Sequence, residues 1–379
     1  MLLISFIISP LFYWKYSNAE EKNEDNFSGV SFGGKTADEA KLLIDRVKKY
    51  TNFFLVNSWD ITINETALNE VCDYAADANL SFMVFFDFIS LDDKIGYLFH
   101  KEWVSTAEKK WGEKFLGIYI FEEPGGKQID TGLFDEFSHP EDPRGRLFEN
   151  VTTYSEASEI YIAQIPQSLS FQFLLSEEIP KFTSDYALYW FDYLAGYDTI
   201  FTEFGWNLSR AQHVGLCRGA ADSQNKEWGT IITWTYDNPP YLLSGSEIFD
   251  DMVLAYEAKA KYIILFNFPY YPESNPYGIL LEEHFTALED FWNYKLKNSK
   301  DYGKKQGNIA FVLPKDYGWG MRFPGDKIWG LWEADKLSSV IWEKMNKLIE
   351  LHSIQLDIIY EDPENNFDKY SKIIYWNEE

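Results

Sequence analysis

The chain has 379 residues, 46% of them apolar and 18% aromatic, which allows a large core and excludes a globally disordered polymer. Its formal net charge of −26 excludes nucleic acid as a partner, because phosphates would be repelled, and argues against anionic membrane surfaces. Only two cysteines, Cys72 and Cys217, are present, too few for a disulfide framework, and no Cys/His cluster has zinc spacing; neither a metal nor another cofactor is expected.

Residues 1–19 read as a leader. Leu2 to Trp14 is apolar, and Lys15-Tyr16-Ser17-Asn18-Ala19 places small residues where a signal peptidase would cut after Ala19. The apolar run is shorter than the ~20 residues of a spanning helix, so cleavage with no membrane insertion afterwards is expected, and an uncleaved anchor is the alternative. Five N-x-[ST] sequons, at Asn26, Asn64, Asn79, Asn150 and Asn207, agree with an extracellular or cell-surface glycoprotein.

Buried-type strands then alternate with helical patterns. Strands are expected at Gly29–Gly34, Asn52–Asn57, Phe82–Asp87 and Phe115–Phe121, with helices at 37–50, 65–78 (Asn64 as N-cap) and 103–111 between them. A long crossover from Glu122 to about Pro180 holds a Gly/Pro-rich loop at 125–145 and a helix from Tyr154. Strands follow at Lys181–Tyr186, Thr199–Phe204, Gly229–Thr235 and Lys261–Phe268, with helices ending near Gly196, Ser223, Ala260 and Lys297. Eight strand–helix units over roughly 270 residues have the size and order of a (β/α)8 TIM barrel at 27–300; were the fifth unit to fail, an open doubly wound sheet would replace it. Beyond a polar break at 301–308 the pattern restarts: strand 309–313, helix 329–352, strands 354–360 and 372–376. This reads as a small flavodoxin-like α/β domain at 308–379, incomplete or appended.

Carboxylates mark the strand ends. Phe115-Leu-Gly-Ile-Tyr-Ile-Phe-Glu-Glu-Pro-Gly-Gly126 is apolar on both parities, as a strand of a parallel sheet is, and stops at Glu122, Glu123 and Pro124. Alternation puts Gly117, Tyr119, Phe121 and Glu123 on the inward side and turns Glu122 toward the helices or loop. Asp87, Asp185, Glu203 and Asp237 end or follow the third, fifth, sixth and seventh strands. Acids converging on an aromatic pocket suit glycosidic cleavage, where one carboxyl protonates the departing oxygen and another attacks the anomeric carbon or activates water. The competing reading is that these residues cap the following helices. Trp59, Trp206, Trp234 and Tyr236, near strand ends, could stack on sugar rings, and Asp87 and Asp185, with Asn267 near the end of the eighth strand, complete the substrate-binding set.

The run Tyr-Ile-Phe-Glu122-Glu123-Pro124 resembles the fourth-strand ending of clan A glycoside hydrolases, where an acidic residue before proline is the acid/base. Asp185-Tyr-Ala-Leu-Tyr-Trp-Phe-Asp-Tyr with Phe-Thr-Glu203-Phe-Gly-Trp206-Asn207 resembles archaeal barrel hydrolases, and a barrel followed by a flavodoxin-like module is similar to family 42 β-galactosidases. The resemblance implies Glu123 as acid/base. The family has Asn where Glu122 stands, and its nucleophile is a glutamate at the seventh strand, which here leads to Asp237; Glu203 and Asp237 are therefore both candidates for the second carboxylate. The function expected is hydrolysis of a glycosidic bond in an oligo- or polysaccharide. A non-catalytic carbohydrate-binding barrel, or a cell-envelope structural barrel, is the alternative.

Overall fold

A computed structural model describes residues 26–90, 98–133, 148, 150–269, 275–363, 365 and 367–378; the leader expected at 1–19 lies outside them. In chain order the elements are β1 (Phe27–Phe32), α1 (Ala37–Val47), β2 (Phe53–Val56), α2 (Trp59–Thr62), α3 (Glu65–Asp77), β3 (Ser81–Phe85), α4 (Phe99–Trp111), β4 (Phe115–Tyr119), α5 (Pro124–Thr131), α6 (Tyr154–Gln167), α7 (Leu169–Ser176) and β5 (Lys181–Asp185). They continue with α8 (Tyr189–Leu194), β6 (Thr199–Phe204), α9 (Arg210–Ser223), β7 (Glu227–Ile232), α10 (Gly245–Glu257), β8 (Tyr262–Leu265), α11 (Glu282–Lys297), β9 (Ile309–Leu313), α12 (Lys336–His352), β10 (Leu356–Tyr360) and β11 (Lys372–Tyr375).

Strands β1 to β8 pair in sequence order, all parallel, and β8 pairs back to β1, so the barrel is closed and the open-sheet alternative is set aside. The fifth strand pairs normally with β6, Phe182 to Asp185 against Thr199 to Thr202. Aromatic rings fill much of the barrel. Tyr262 meets Phe27, Phe182 and Phe201 at ring-centre distances of 5.2, 5.6 and 5.6 Å, and Tyr119 stacks on Phe201 at 6.1 Å. Rings of that size need room from a neighbouring strand. At Gly229 a Cβ would lie 2.7 Å from the Tyr262 Cβ and 2.9 Å from the Phe201 ring, so glycine there is a packing requirement. Much of the aromatic content is thereby core.

The C-terminal residues form a separate three-stranded parallel sheet of order β10-β9-β11, with α12 packed on β9 and β10. This establishes a small α/β unit; its expected flavodoxin-like character reduces to that coarser description. The sheet does not stand apart from the barrel. Helix α9 lies against β10, Gly215 and Gly219 admit the carbonyl oxygens of Leu356 and Ile358, and the α9 residues Gln212–Ala221 are buried without a break. Arg218 of α9 makes a buried ion pair with Asp357 at 2.7 Å and also donates to the Lys305 and Ile354 carbonyls.

Two expectations fail for identifiable reasons. Residues 329–335 do not begin the last helix: Trp329 and Gly330 have left-handed backbones (φ 57° and 69°), Ile328 bridges to Trp319 and Trp332, and Asp335 caps a helix that starts at Lys336. The loop expected from Gly125 begins instead with helix α5. Of the sequon residues, Asn26 is buried, with its amide donating to the Ala260 carbonyl at 2.8 Å; Asn64 caps α3, and Asn79 accepts from Lys114. Asn150 and Asn207 are exposed. Both cysteines are buried and free, and among the described residues no helix is long and apolar enough to cross a membrane.

Candidate active site

The site is assembled at the C-terminal ends of β4, β5 and β6. Strand pairing runs on past β4: the Ile120 N–H donates to the Phe182 carbonyl and the Glu123 N–H to that of Ser184. The chain nevertheless leaves extended geometry there, with Phe121 at φ 53° and Glu123 at φ 56°. Left-handed backbone at a residue with a side chain costs on the order of 1 kcal/mol and clusters at functional sites. Simple alternation stops applying at Phe121. Glu122, expected to face the helices or loop, instead accepts a hydrogen bond from the inward-facing Tyr119 hydroxyl at 3.0 Å.

Glu123 precedes Pro124, the first residue of α5, and occupies the N-cap position, yet its side chain makes no capping bond. Asp185, at the end of β5, does that work. Its carboxylate accepts the N–H groups of Gly125 (2.6 Å), Gly126 (2.8 Å), Tyr186 (2.7 Å) and Ala187 (3.0 Å). The two glycines permit the approach: a Cβ on Gly125 would lie 2.6 Å from the Ala187 carbonyl, and one on Gly126 2.1 Å from the Tyr186 ring. At the start of α5 the capping role therefore belongs to Asp185 and not to Glu123. Burial raises Asp185 to about 6, against the lowering effect of its four N–H donors. Tyr186 flanks the same corner. Burial first and then the charge of Glu123 push its phenol well above its ordinary value, and its hydroxyl donates to Asp130 at 2.8 Å.

Glu203 lies within β6, only 4% exposed, and its Oε1 accepts the Ser184 hydroxyl at 2.8 Å. Burial raises its carboxyl well above the ordinary glutamate value. The charge of Glu123 is the next cause, and those of Glu122 and Asp185 add to it, while Ser184 acts the other way. Glu122, Glu123, Asp185 and Glu203 thus share one electrostatic neighbourhood.

The other expected residues are distributed around the same barrel face. Asp87 is partly buried two residues beyond β3. Asp237 is exposed in the loop after β7, with Tyr236, itself 43% exposed, beside it. Trp59, at the start of α2, and Trp206, after β6, are 44% and 46% exposed, whereas Trp234 is partly buried against Tyr241, Phe266 and Phe268. Asn267 is buried, and its side-chain oxygen accepts the Ile279 N–H. It lines a cavity of about 400 Å³ with Phe32, Lys35, Glu39 and Tyr277, on the β1/β8 side of the mouth; Glu123 and Glu203 do not line it. Sequence reasoning missed Ser184 and Tyr186, polar groups whose only signal was their place at the end of a strand. Among the described residues, no group of three or more His, Cys, Asp or Glu could hold a metal ion.

No protein family and no curated protein sequence matches the chain. Solved structures do. Alpha-L-fucosidase isoenzyme 2 from Paenibacillus thiaminolyticus superimposes with a TM-score of 0.53 at 10% identity, over 92% of this chain and 59% of the fucosidase. GH5_18 from Bifidobacterium longum subsp. longum gives 0.53 at 11% identity, over 93% of this chain and 98% of that one. The chain thus spans little more than half of the fucosidase and nearly all of the second protein. At these identities what is shared is the fold, that of TIM-barrel glycoside hydrolases.

Proposed function

We propose that the protein is a glycoside hydrolase in which Glu203 is the general acid and Glu123 its ionised partner. The observation that carries this is a nearly buried glutamate at the end of β6 whose carboxyl is raised by burial and by the charge of a second glutamate at the end of β4. Two carboxyls in unequal environments divide the work of glycosidic cleavage. Glu203, whose burial favours the protonated form, gives its proton to the departing oxygen. Glu123 attacks the anomeric carbon or activates a water molecule. The resemblance at the fourth strand implied the acid role for Glu123; the burial of Glu203 favours the reverse assignment. Asp237, exposed beyond β7, is the weaker candidate for the second carboxylate. Trp59, Trp206 and Tyr236 offer exposed rings to sugar, and the leader-like residues 1–19 support action outside the cell.

The test is Glu203→Gln, assayed on natural glycosides and on aryl glycosides with good leaving groups. General acid catalysis is worth roughly 10²–10⁴-fold, so cleavage of the natural substrate should fall by about that factor and cleavage of the activated one by much less. Equal losses on both would remove Glu203 from the acid role. Glu123→Gln should impair both substrates. The exposed aromatic residues support a second reading, a carbohydrate-binding barrel without catalysis. It prevails if sugars quench tryptophan fluorescence while no glycoside is turned over.

A further inference from the structure

A chain of hydrogen bonds crosses the site. The Glu203 carboxyl meets the Ser184 hydroxyl at 2.8 Å, the Ser184 hydroxyl meets the Tyr119 hydroxyl at 2.9 Å, and the Tyr119 hydroxyl meets Glu122 at 3.0 Å. Both intermediate groups are buried, Tyr119 completely and Ser184 to within 1%. Each hydroxyl has one proton to donate. Tyr119 has two acceptors within reach, Glu122 and the Ser184 oxygen, and can serve one of them at a time.

We infer that Tyr119 and Ser184 are positioning residues that tie the hydrogen bonding of Glu122 to the protonation of Glu203. The chain has two self-consistent directions. With a proton on Glu203, its O–H donates to Ser184, Ser184 donates to Tyr119, and Tyr119 donates to Glu122. When Glu203 gives up that proton, to solvent or to a departing oxygen, Ser184 turns to donate to the new carboxylate, Tyr119 turns to donate to Ser184, and Glu122 loses the hydrogen bond from Tyr119. Only hydroxyl rotations are involved; no bond is made or broken within the chain. Both hydroxyl groups are buried, so each direction is held by mutually polarised bonds. Among the described residues, Glu123 beyond β4, Asp185 on β5 and Tyr189 on α8 also face Glu203. They act on Glu203 through space, and the substitutions below leave them in place.

The catalytic meaning of the switch rests on the glycosidase reading above, but the switch itself is measurable without any substrate. In the full chain, 13C-NMR titration of the glutamate carboxyls should show the Glu122 signal responding twice, once at its own ionisation and once at that of Glu203. Glu203→Gln should abolish the second response and so identify it. Tyr119→Phe and Ser184→Ala should each shrink or abolish that response while Glu203 still titrates, and Ser184→Thr, which keeps a hydroxyl, should retain it. A second response of undiminished size in both Tyr119→Phe and Ser184→Ala would mean that the carboxyls communicate through space alone, and would overturn the inference. Two isosteric deletions at separate positions keep the test decisive should one of them not fold. Loss of the response in a protein that cleaves no glycoside would support the switch and count against the catalytic reading instead.

Discussion

Asp185 and Glu203 stand at the ends of adjacent strands, both buried, and are held in opposite ways. Asp185 is surrounded by four backbone N–H donors, and burial lifts it only to about 6. Glu203 has the Ser184 hydroxyl as donor and three carboxylate neighbours, and it is lifted well beyond the ordinary range. The N–H donors around Asp185 favour its ionised form, whereas burial and the neighbouring carboxylates favour the protonated form of Glu203. Burial alone does not decide a carboxyl's state; the donors and charges around it do. One carboxylate organises the start of α5, and the other sits where its ionisation is disfavoured.

The sharpest way to break this contrast is to remove each group in turn. Asp185→Ala should cost about 3 kcal/mol of stability, because the N–H groups at the start of α5 and in the turn after β5 lose a buried acceptor. Denaturant unfolding measures it. Glu203→Gln, which removes a buried titratable group and keeps its shape, should cost far less. Comparable losses at both sites would make Glu203 a structural residue like its neighbour.

A smaller effect is expected in the pH dependence of stability. Glu203 binds its proton more tightly in the folded chain than at the ordinary value of 4.5, so its stabilising contribution is complete below 4.5 and is lost as pH rises through the folded value. Across that interval stability should fall by about 1 kcal/mol per pH unit on account of this group. Subtracting the Glu203→Gln unfolding curve from that of the unmodified chain isolates the slope. A flat difference would show Glu203 to be ionised already.

The smallest effect concerns the rim. Trp59→Ala and Trp206→Ala remove exposed rings, so stability should change by no more than about 0.5 kcal/mol, while sugar binding weakens. Thermal unfolding alongside oligosaccharide titration separates the two. A large stability loss with unchanged binding would make these rings core.

Local pattern carried much of the barrel. Thr199–Phe204, Glu282–Lys297 and Ile309–Leu313 have the bounds their apolar runs implied, because a strand buried on both faces or a helix with one apolar stripe is written in a few consecutive residues. The site was less legible for a physical reason. Pro124-Gly-Gly reads as a breaker, yet it begins α5 because Asp185, sixty residues on, supplies the cap and Tyr186 fills the space the glycines leave. Alternation placed Tyr119 inward correctly but could not follow the left-handed turns at Phe121 and Glu123, and so assigned Glu122 to the wrong side. Contacts made across strands leave no trace in one strand's own sequence.

Helix α9 follows the strand that carries Glu203 and is walled in along its middle ten residues, with the barrel on one side and β10 on the other. A protein cut in the polar stretch at 301–308 to free the barrel would strip Asp357 from Arg218, leaving a guanidinium set in an apolar wall, and would open the glycine-lined track that receives β10. The C-terminal sheet therefore serves as the outer jacket of the barrel's sixth unit. A barrel without that jacket would expose the buried face of α9, the helix that follows the strand carrying Glu203.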